Sequence, residues 1–221
     1  MSNIVKILSV INVTHDVKSF SIEKPAGYQF IPGQATEVSV NRPGMEEEKR
    51  PFTFTSLNED SFLQFTIKRY QDHHGVTDLL HQLQPGDELI IRDVWGAIEY
   101  KGPGYFIAGG AGITPFLSIL RQLEKEKKLD GNTLFFSNKT AADIICEQEL
   151  SAMLGAKAVF ILTKENNAKY RTGHIDEEFI RENITDFHKH FYICGPDPMI
   201  AGIASILEKS GASTDAVVFE K

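Results

Sequence analysis

The feature that most constrains this chain's fold is a change of periodicity near residue 101. Before it the sequence is a series of short alternating or apolar runs, among them Phe20-Ser21-Ile22, Glu37-Val38-Ser39-Val40, residues 62–67 and Glu88-Leu89-Ile90-Ile91. Turn formers separate them: Pro25-Ala26-Gly27, Ile31-Pro32-Gly33, Arg42-Pro43-Gly44 and Gln84-Pro85-Gly86-Asp87. Closely spaced short strands predict a small antiparallel barrel, interrupted by one helix over 77–83 where Leu79, Leu80 and Leu83 share a face. After Lys101-Gly102-Pro103-Gly104, strand patterns at 105–108, 133–136, 158–162 and 191–194 alternate with helical patterns. These begin at Pro115, near 141–153, near 176–181, and at Pro198, the last running to Gly211. Such alternation predicts a parallel sheet covered on both faces. The expected architecture is therefore two-domain: an antiparallel β-barrel over 1–101 and an α/β domain with a parallel sheet over 102–221.

Composition narrows the function. No apolar run approaches the roughly 18 residues that span a bilayer, so no membrane partner is expected. The apolar start contains Lys6 and Asn12 and lacks a basic leader and a small-residue cleavage site, so it reads as a strand, not a signal peptide. Without an export signal, the sequons at Asn12, Asn138 and Asn183 read as chance matches. Only two cysteines occur, Cys146 and Cys194, which fits a reducing, cytoplasmic setting and is too few for an iron–sulfur cluster. Any redox cofactor is then organic. The net charge of −7 argues against a nucleic-acid partner. The sequence leaves the oligomeric state open.

Three islands carry the chemistry. In Gly109-Gly110-Ala111-Gly112-Ile113-Thr114-Pro115, the glycines follow a strand and permit a tight turn. Thr114 suits a helix N-cap and Pro115 the first helical position. The turn reads either as a bare strand–helix join or as an anion site at a helix N-terminus, whose natural guest is a pyrophosphate. An ordinary Rossmann dehydrogenase is disfavoured, because Pro115 stands where its third glycine belongs, and Asn132 where an acidic ribose-binding strand end is expected. In Cys194-Gly195-Pro196-Asp197-Pro198-Met199 a strand delivers Cys194 to a sheet edge, and Asp197 suits a cap before a helix that starts at Pro198. Cys194 either fills the core or borders a planar ring. Arg50-Pro51-Phe52-Thr53 opens a strand that places Phe52 and Phe54 on one face, Thr53 and Thr55 on the other. Arg50 offers a fork for phosphate, Phe52 a face to stack on, Thr53 a hydroxyl. A fourth cue, Gly75-Val76-Thr77, begins the barrel's helix, with Thr77 near its N-cap. His73-His74 and His188/His190 lack accompanying metal ligands and read as solvated loops, so no metal is expected.

Taken together these islands resemble the ferredoxin–NADP reductase superfamily: Arg50–Thr53 its flavin motif, Gly75–Thr77 its phosphate turn, Gly110–Pro115 its nicotinamide-nucleotide loop and Cys194-Gly195-Pro196 its Cys-Gly-Pro turn. Phe52 departs from the usual tyrosine. The resemblance implies FAD in the barrel and NAD(P)H on the α/β domain. Arg50 and the amides of Gly75, Val76 and Thr77 would hold the FAD pyrophosphate, with Pro51, Phe52 and Lys68 beside the flavin, Thr53 at flavin N5 and Phe219 a cover for the ring. Gly110, Gly112, Thr114, Gly195, Pro196 and Met199 would receive the nucleotide, with Cys194 near nicotinamide C4. Basic and aromatic residues at Lys164, Lys169, Tyr170 and Arg171 favour NADPH. The implied activity is a flavin-dependent NAD(P)H reductase feeding a carrier protein such as flavodoxin or ferredoxin. The alternatives are a reductase of free flavin or small acceptors, and a non-catalytic flavin- or nucleotide-binding regulatory subunit. The flavin half, with nine basic and fourteen acidic residues in its first 100, offers only local basic clusters such as Lys68-Arg69 for docking.

Overall fold

A computed structural model describes residues 2–70, 75–96, 98–213 and 217–219; the His73-His74 pair lies outside the described residues. In the first half, β1 (Asn3–Asn12), β2 (Val17–Glu23), β3 (Ala35–Val40), β4 (Arg50–Thr53), β5 (Phe62–Lys68) and β6 (Glu88–Trp95) form one antiparallel sheet in the order β4-β3-β6-β1-β2-β5. A bridge between Phe54 and Phe65 joins its two edges, so the sheet closes into a barrel and leaves no long unpaired edge there. Alternation sends Phe20, Ile22, Val38, Leu63 and Phe65 inward, all fully buried. The helix α1 (Val76–Leu80) packs Val76 and Leu80 on the same core. It is shorter than the 77–83 predicted, because the chain turns at His81, whose buried ring nitrogen Nε2 lies 2.8 Å from the Ile67 carbonyl.

The second half carries β7 (Gly104–Gly109), β8 (Thr133–Asn138), β9 (Ala158–Leu162), β10 (Arg171–Thr172), β11 (His190–Cys194) and β12 (Val217–Phe219). They pair in parallel in the order β10-β9-β8-β7-β11-β12. The helices α2 (Thr114–Lys125) and α3 (Glu147–Leu154) pack on one face with Phe106, Ala108 and Phe136. On the other face α4 (Glu177–Asn183) and α5 (Asp197–Lys209) pack against Tyr105, Ile107 and Ile193. Both faces are covered, which is why these strands read as continuous apolar runs. Among the described residues, no helix is long and apolar enough to cross a membrane.

Local differences from the sequence reading have local causes. The helix expected near 141–153 is broken: a single turn over Ala141–Asp143 is closed by Thr140, whose hydroxyl and amide both donate to Asp143 Oδ2 (2.7 and 2.8 Å). Cys146 then adopts a left-handed conformation (φ 54°) before α3 starts. β10 escapes the sequence because two exposed residues carry no periodicity. At the junction between the halves, the Tyr192 hydroxyl accepts from the amides of Lys101 (2.9 Å) and Gly102 (3.0 Å) and donates to the Gly102 carbonyl (2.7 Å).

Candidate functional site

Two glycines shape one wall of the site. Gly110 has φ +53° and nothing within 4 Å of where a Cβ would stand, so its left-handed turn leaves an open face. Gly112 is the opposite case, since a Cβ there would lie 2.2 Å from the Cys194 carbonyl oxygen. The glycine turn is thus seated directly on the end of β11, and the two islands form one surface.

The cap assignments change. A single tight turn over Gly110–Ile113 runs straight into α2, so Thr114 is helical rather than capping, and its hydroxyl donates back to the Ala111 carbonyl (3.0 Å). Likewise Asp197 is already the first residue of α5, with Pro196 in the capping position. Asn132 stands ahead of β8, not at its carboxyl end: its amide oxygen accepts from Gly104 N (3.0 Å) and fixes the start of β7. The strand end that faces ligands in such sheets is Asn138.

These surfaces enclose a cleft of about 1100 Å³. From the barrel, Pro51, Phe52, Thr53, Lys68 and Thr77 line it; from the α/β half, Gly110, Gly112, Thr114, Cys194, Gly195, Pro196 and Met199 do so. Thr53 and Cys194 are both buried, at 7% and 9% exposure. Phe52 is partly buried against the barrel core, its ring tilted 51° to that of Phe65 with centroids 6.3 Å apart.

Four predicted residues are not on the cleft wall. Arg50 is exposed and its guanidinium donates to the Lys49 carbonyl (2.6 Å). Gly75 caps α1, Val76 is 3% exposed in the barrel core, and Lys164 is exposed beyond β9. Phe219 is described in its backbone only, as the end of β12. Sequence reasoning also missed wall residues. Ser137, Asn138 and Thr163 follow from the rule that strand carboxyl ends face ligands; His174 and Asp176 come from an irregular loop and leave no such signal. Both polar atoms of the Asn138 side chain are buried without a hydrogen-bond partner among the described residues.

One charged cluster spans the two halves at the cleft's rim. Lys68 Nζ lies 2.8 Å from Asp16 Oδ2; His15 Nε2 lies 3.7 Å from that same oxygen and 3.8 Å from Asp143 Oδ1. Burial raises the Asp16 pKa, but the bond to Lys68 and its charge outweigh this and hold the carboxyl below its usual range. The three ligand-type groups His15, Asp16 and Asp143 are close enough to share a cation. The Lys68 ammonium already pairs with one oxygen of Asp16.

The donor set fits dinucleotides: an open glycine turn at the start of a helix, hydroxyls at Thr53 and Thr114, and an apolar wall from Pro51, Phe52 and Pro196. The comparisons agree. The family model for the oxidoreductase FAD-binding domain matches residues 5–100, and that for the oxidoreductase NAD-binding domain matches residues 106–205. The chain is 26% identical, over 95% of its length, to the reductase component of propane 2-monooxygenase from Rhodococcus jostii, and covers 60% of that protein. It is 25% identical, over 90% of its length, to NADH-cytochrome b5 reductase 2 of Scheffersomyces stipitis, covering 72% of it. The chain spans 60–66% of the length of the propane monooxygenase reductase components that it matches. A ferredoxin NADP+ reductase from Neisseria gonorrhoeae, solved with bound FAD and NADP, superposes with a TM-score of 0.87 at 23% identity, covering 99% of this chain and 98% of that one. The chain belongs to the ferredoxin–NADP reductase superfamily, with an oxidoreductase FAD-binding domain followed by an oxidoreductase NAD-binding domain.

Proposed function

We propose that the chain takes electrons from NADH and passes them to a separate redox protein of the flavodoxin or ferredoxin type. Residues 1–101 serve as the flavin unit and 102–221 as the nucleotide unit. The observation that carries this reading is the single cleft lined by Thr53 from one half and Cys194 from the other. A flavin bound there would supply the redox chemistry between the nicotinamide and the acceptor. The chain's own work is alignment and exclusion of water. Phe52 and Pro51 give the flavin a rigid apolar wall, Thr53 offers its hydroxyl to N5, and Cys194 borders the nicotinamide. Gly110, Gly112 and Thr114, with Gly195, Pro196 and Met199, receive the nucleotide. Arg50 and the turn at Gly75–Thr77, of which only Thr77 lines the cleft, would hold the flavin pyrophosphate at its edge, Arg50 by exchanging its bond to the Lys49 carbonyl for a phosphate oxygen.

The choice of NADH rests on charge. Of the basic residues that favoured NADPH, Lys169 lies 2.6 Å from Glu147 Oε1, which also accepts from the Tyr170 hydroxyl (3.0 Å). Arg171 binds Glu182 (2.9 Å) and Asn183 (2.7 Å). The wall beside β8 and β9 carries the carboxylates Asp143 and Asp176 against one lysine, Lys139. A 2′-phosphate brought to that wall meets net repulsion. The reading also accords with a relative named an NADH-cytochrome b5 reductase.

The test is anaerobic reduction of the flavin-loaded protein by each nucleotide, followed by turnover with and without a carrier protein. A flavin that stays oxidised with both nucleotides defeats the reductase reading. Full turnover on free flavin or quinone, unimproved by any carrier protein, defeats the protein-acceptor part alone.

A further inference from the structure

One face of α2 is committed to the barrel. Ser118 Oγ accepts the Gly33 amide (3.0 Å) in a buried contact, and one turn further on Arg121 makes the main link. Its guanidinium grips Glu149 in a fork, Nε to Oε1 at 2.5 Å and Nη2 to Oε2 at 2.9 Å. Its remaining nitrogen, Nη1, crosses to the barrel and donates to the Thr55 carbonyl and to Gln64 Oε1 (3.1 Å). At the end of the helix, Lys125 adds an ion pair to Glu59.

What Arg121 holds is continuous with the cleft. Thr55 lies two residues beyond Thr53 and is fully buried; its amide donates to Gln64 O (2.8 Å), and its hydroxyl lies 3.1 Å from that of Thr66, which lines the cleft. At the other end of the same helix stands the glycine turn that lines the opposite wall. Thr114 and Arg121 are seven residues apart, about 10 Å along the axis at 1.5 Å per residue. One short rigid strut therefore connects the nucleotide side to the strand that carries Thr53. A guanidinium suits this post because its planar fork can satisfy a carboxylate while a third nitrogen reaches elsewhere; a lysine cannot do both.

We infer that Arg121 is a positioning residue for hydride transfer: through α2 it fixes the separation of the glycine turn from the Thr53 strand, while touching neither ligand. The inference rests on the reductase reading above. Within α2 and its turn nothing depends on Arg121, so nucleotide binding to the α/β half survives its loss. The Ser118–Gly33 and Lys125–Glu59 contacts remain, the fork to Glu149 is lost, and the register of the two walls is loosened. A misplacement of about 1 Å at reacting atoms costs on the order of 100-fold in rate.

The experiment compares the full-length, flavin-loaded parent with Arg121→Gln and Glu149→Gln. Calorimetry with ADP-ribose reads binding, and stopped-flow reads flavin reduction at saturating NADH. For Arg121→Gln, ADP-ribose affinity should stay within twofold and KM within threefold, while the reduction rate falls about 10- to 100-fold. Glu149→Gln keeps the barrel contacts but loosens the fork, and should lose about threefold to tenfold in rate with ADP-ribose binding unchanged. A parental rate in Arg121→Gln overturns the inference, as does a loss of ADP-ribose affinity in step with the rate. Should Arg121→Gln fail to fold, a parental rate in Glu149→Gln overturns it alone. A parent that neither NADH nor NADPH reduces is a failure of the reductase reading, and is seen before any variant is made.

Discussion

Replacing Gly112 by alanine tests the claim that the glycine turn is seated on the end of β11. The new methyl would stand 2.2 Å from the Cys194 carbonyl oxygen, 2.4 Å from its carbon and 2.6 Å from the Gly195 nitrogen. Contacts of a Cβ below 3.0 Å are essentially never seen, so at least 0.8 Å of movement is needed at the carbonyl oxygen. All three neighbours are backbone, so no side chain can swing aside. Overpacking of this kind costs about 1–3 kcal/mol, which corresponds to a melting shift of about 2–12 °C for a chain of this size. The turn and Cys194 face the same cleft, so the shift separates two groups that must register together. The rate of flavin reduction at saturating nucleotide should fall about 10- to 100-fold. Gly202→Ala is the control: it lies in α5 with open space around its Cβ position and should stabilise by about 0.5–1 kcal/mol. Thermal melts and stopped-flow reduction of both variants are the assay. A Gly112→Ala protein that melts with the parent and reduces its flavin within threefold of it would refute the seating argument.

Three further outcomes are expected. Glu147→Gln frees Lys169 and Tyr170 and should raise affinity for 2′-phospho-ADP-ribose about threefold to tenfold while leaving ADP-ribose unchanged; equal changes for both ligands would show that Lys169 does not read the 2′ position. Burial, with the Glu149 charge beside it, pushes the Cys146 thiol up to about 11, so at pH 8 it should alkylate at least about tenfold more slowly than an exposed thiol, and prompt labelling at Cys146 by peptide mapping would contradict this. Burial lowers the His81 pKa below 6.5, so the unfolded chain takes up the proton first as pH falls; the stability from neutral His81 is full above pH 6.5 and is lost as pH drops through the folded value. His81→Gln should therefore flatten the decline of the melting temperature between pH 7 and 5, and an unchanged slope would reject that assignment.

The barrel and the parallel sheet were legible because each leaves a periodic mark. Alternation in β2 and β5 records one buried face, and unbroken apolar runs in β7 and β11 record two. The glycine turn and the Cys-Gly-Pro turn were legible too, since a close backbone approach excludes any side chain at Gly112. Capping was less so: Thr114 and Asp197 have the right side chains for a cap, yet the chain enters both helices one residue earlier. The basic residues after β9 show the limit most clearly. Read along the chain, Lys169 and Arg171 suggest a phosphate site, but their charges are met by Glu147 and Glu182, 22 and 11 residues away in sequence.

By itself, then, the sequence determined the two architectures, their order and the short motifs that name the cofactors, because those depend on periodicity and on local backbone demands. Only the tertiary structure decided which motif residues share a wall, which basic side chains are already neutralised, and that Arg121 on α2 reaches the segment just beyond Thr53. Such relations join residues as far apart as Arg121 and Thr55, and a contact between distant segments leaves no pattern along the chain.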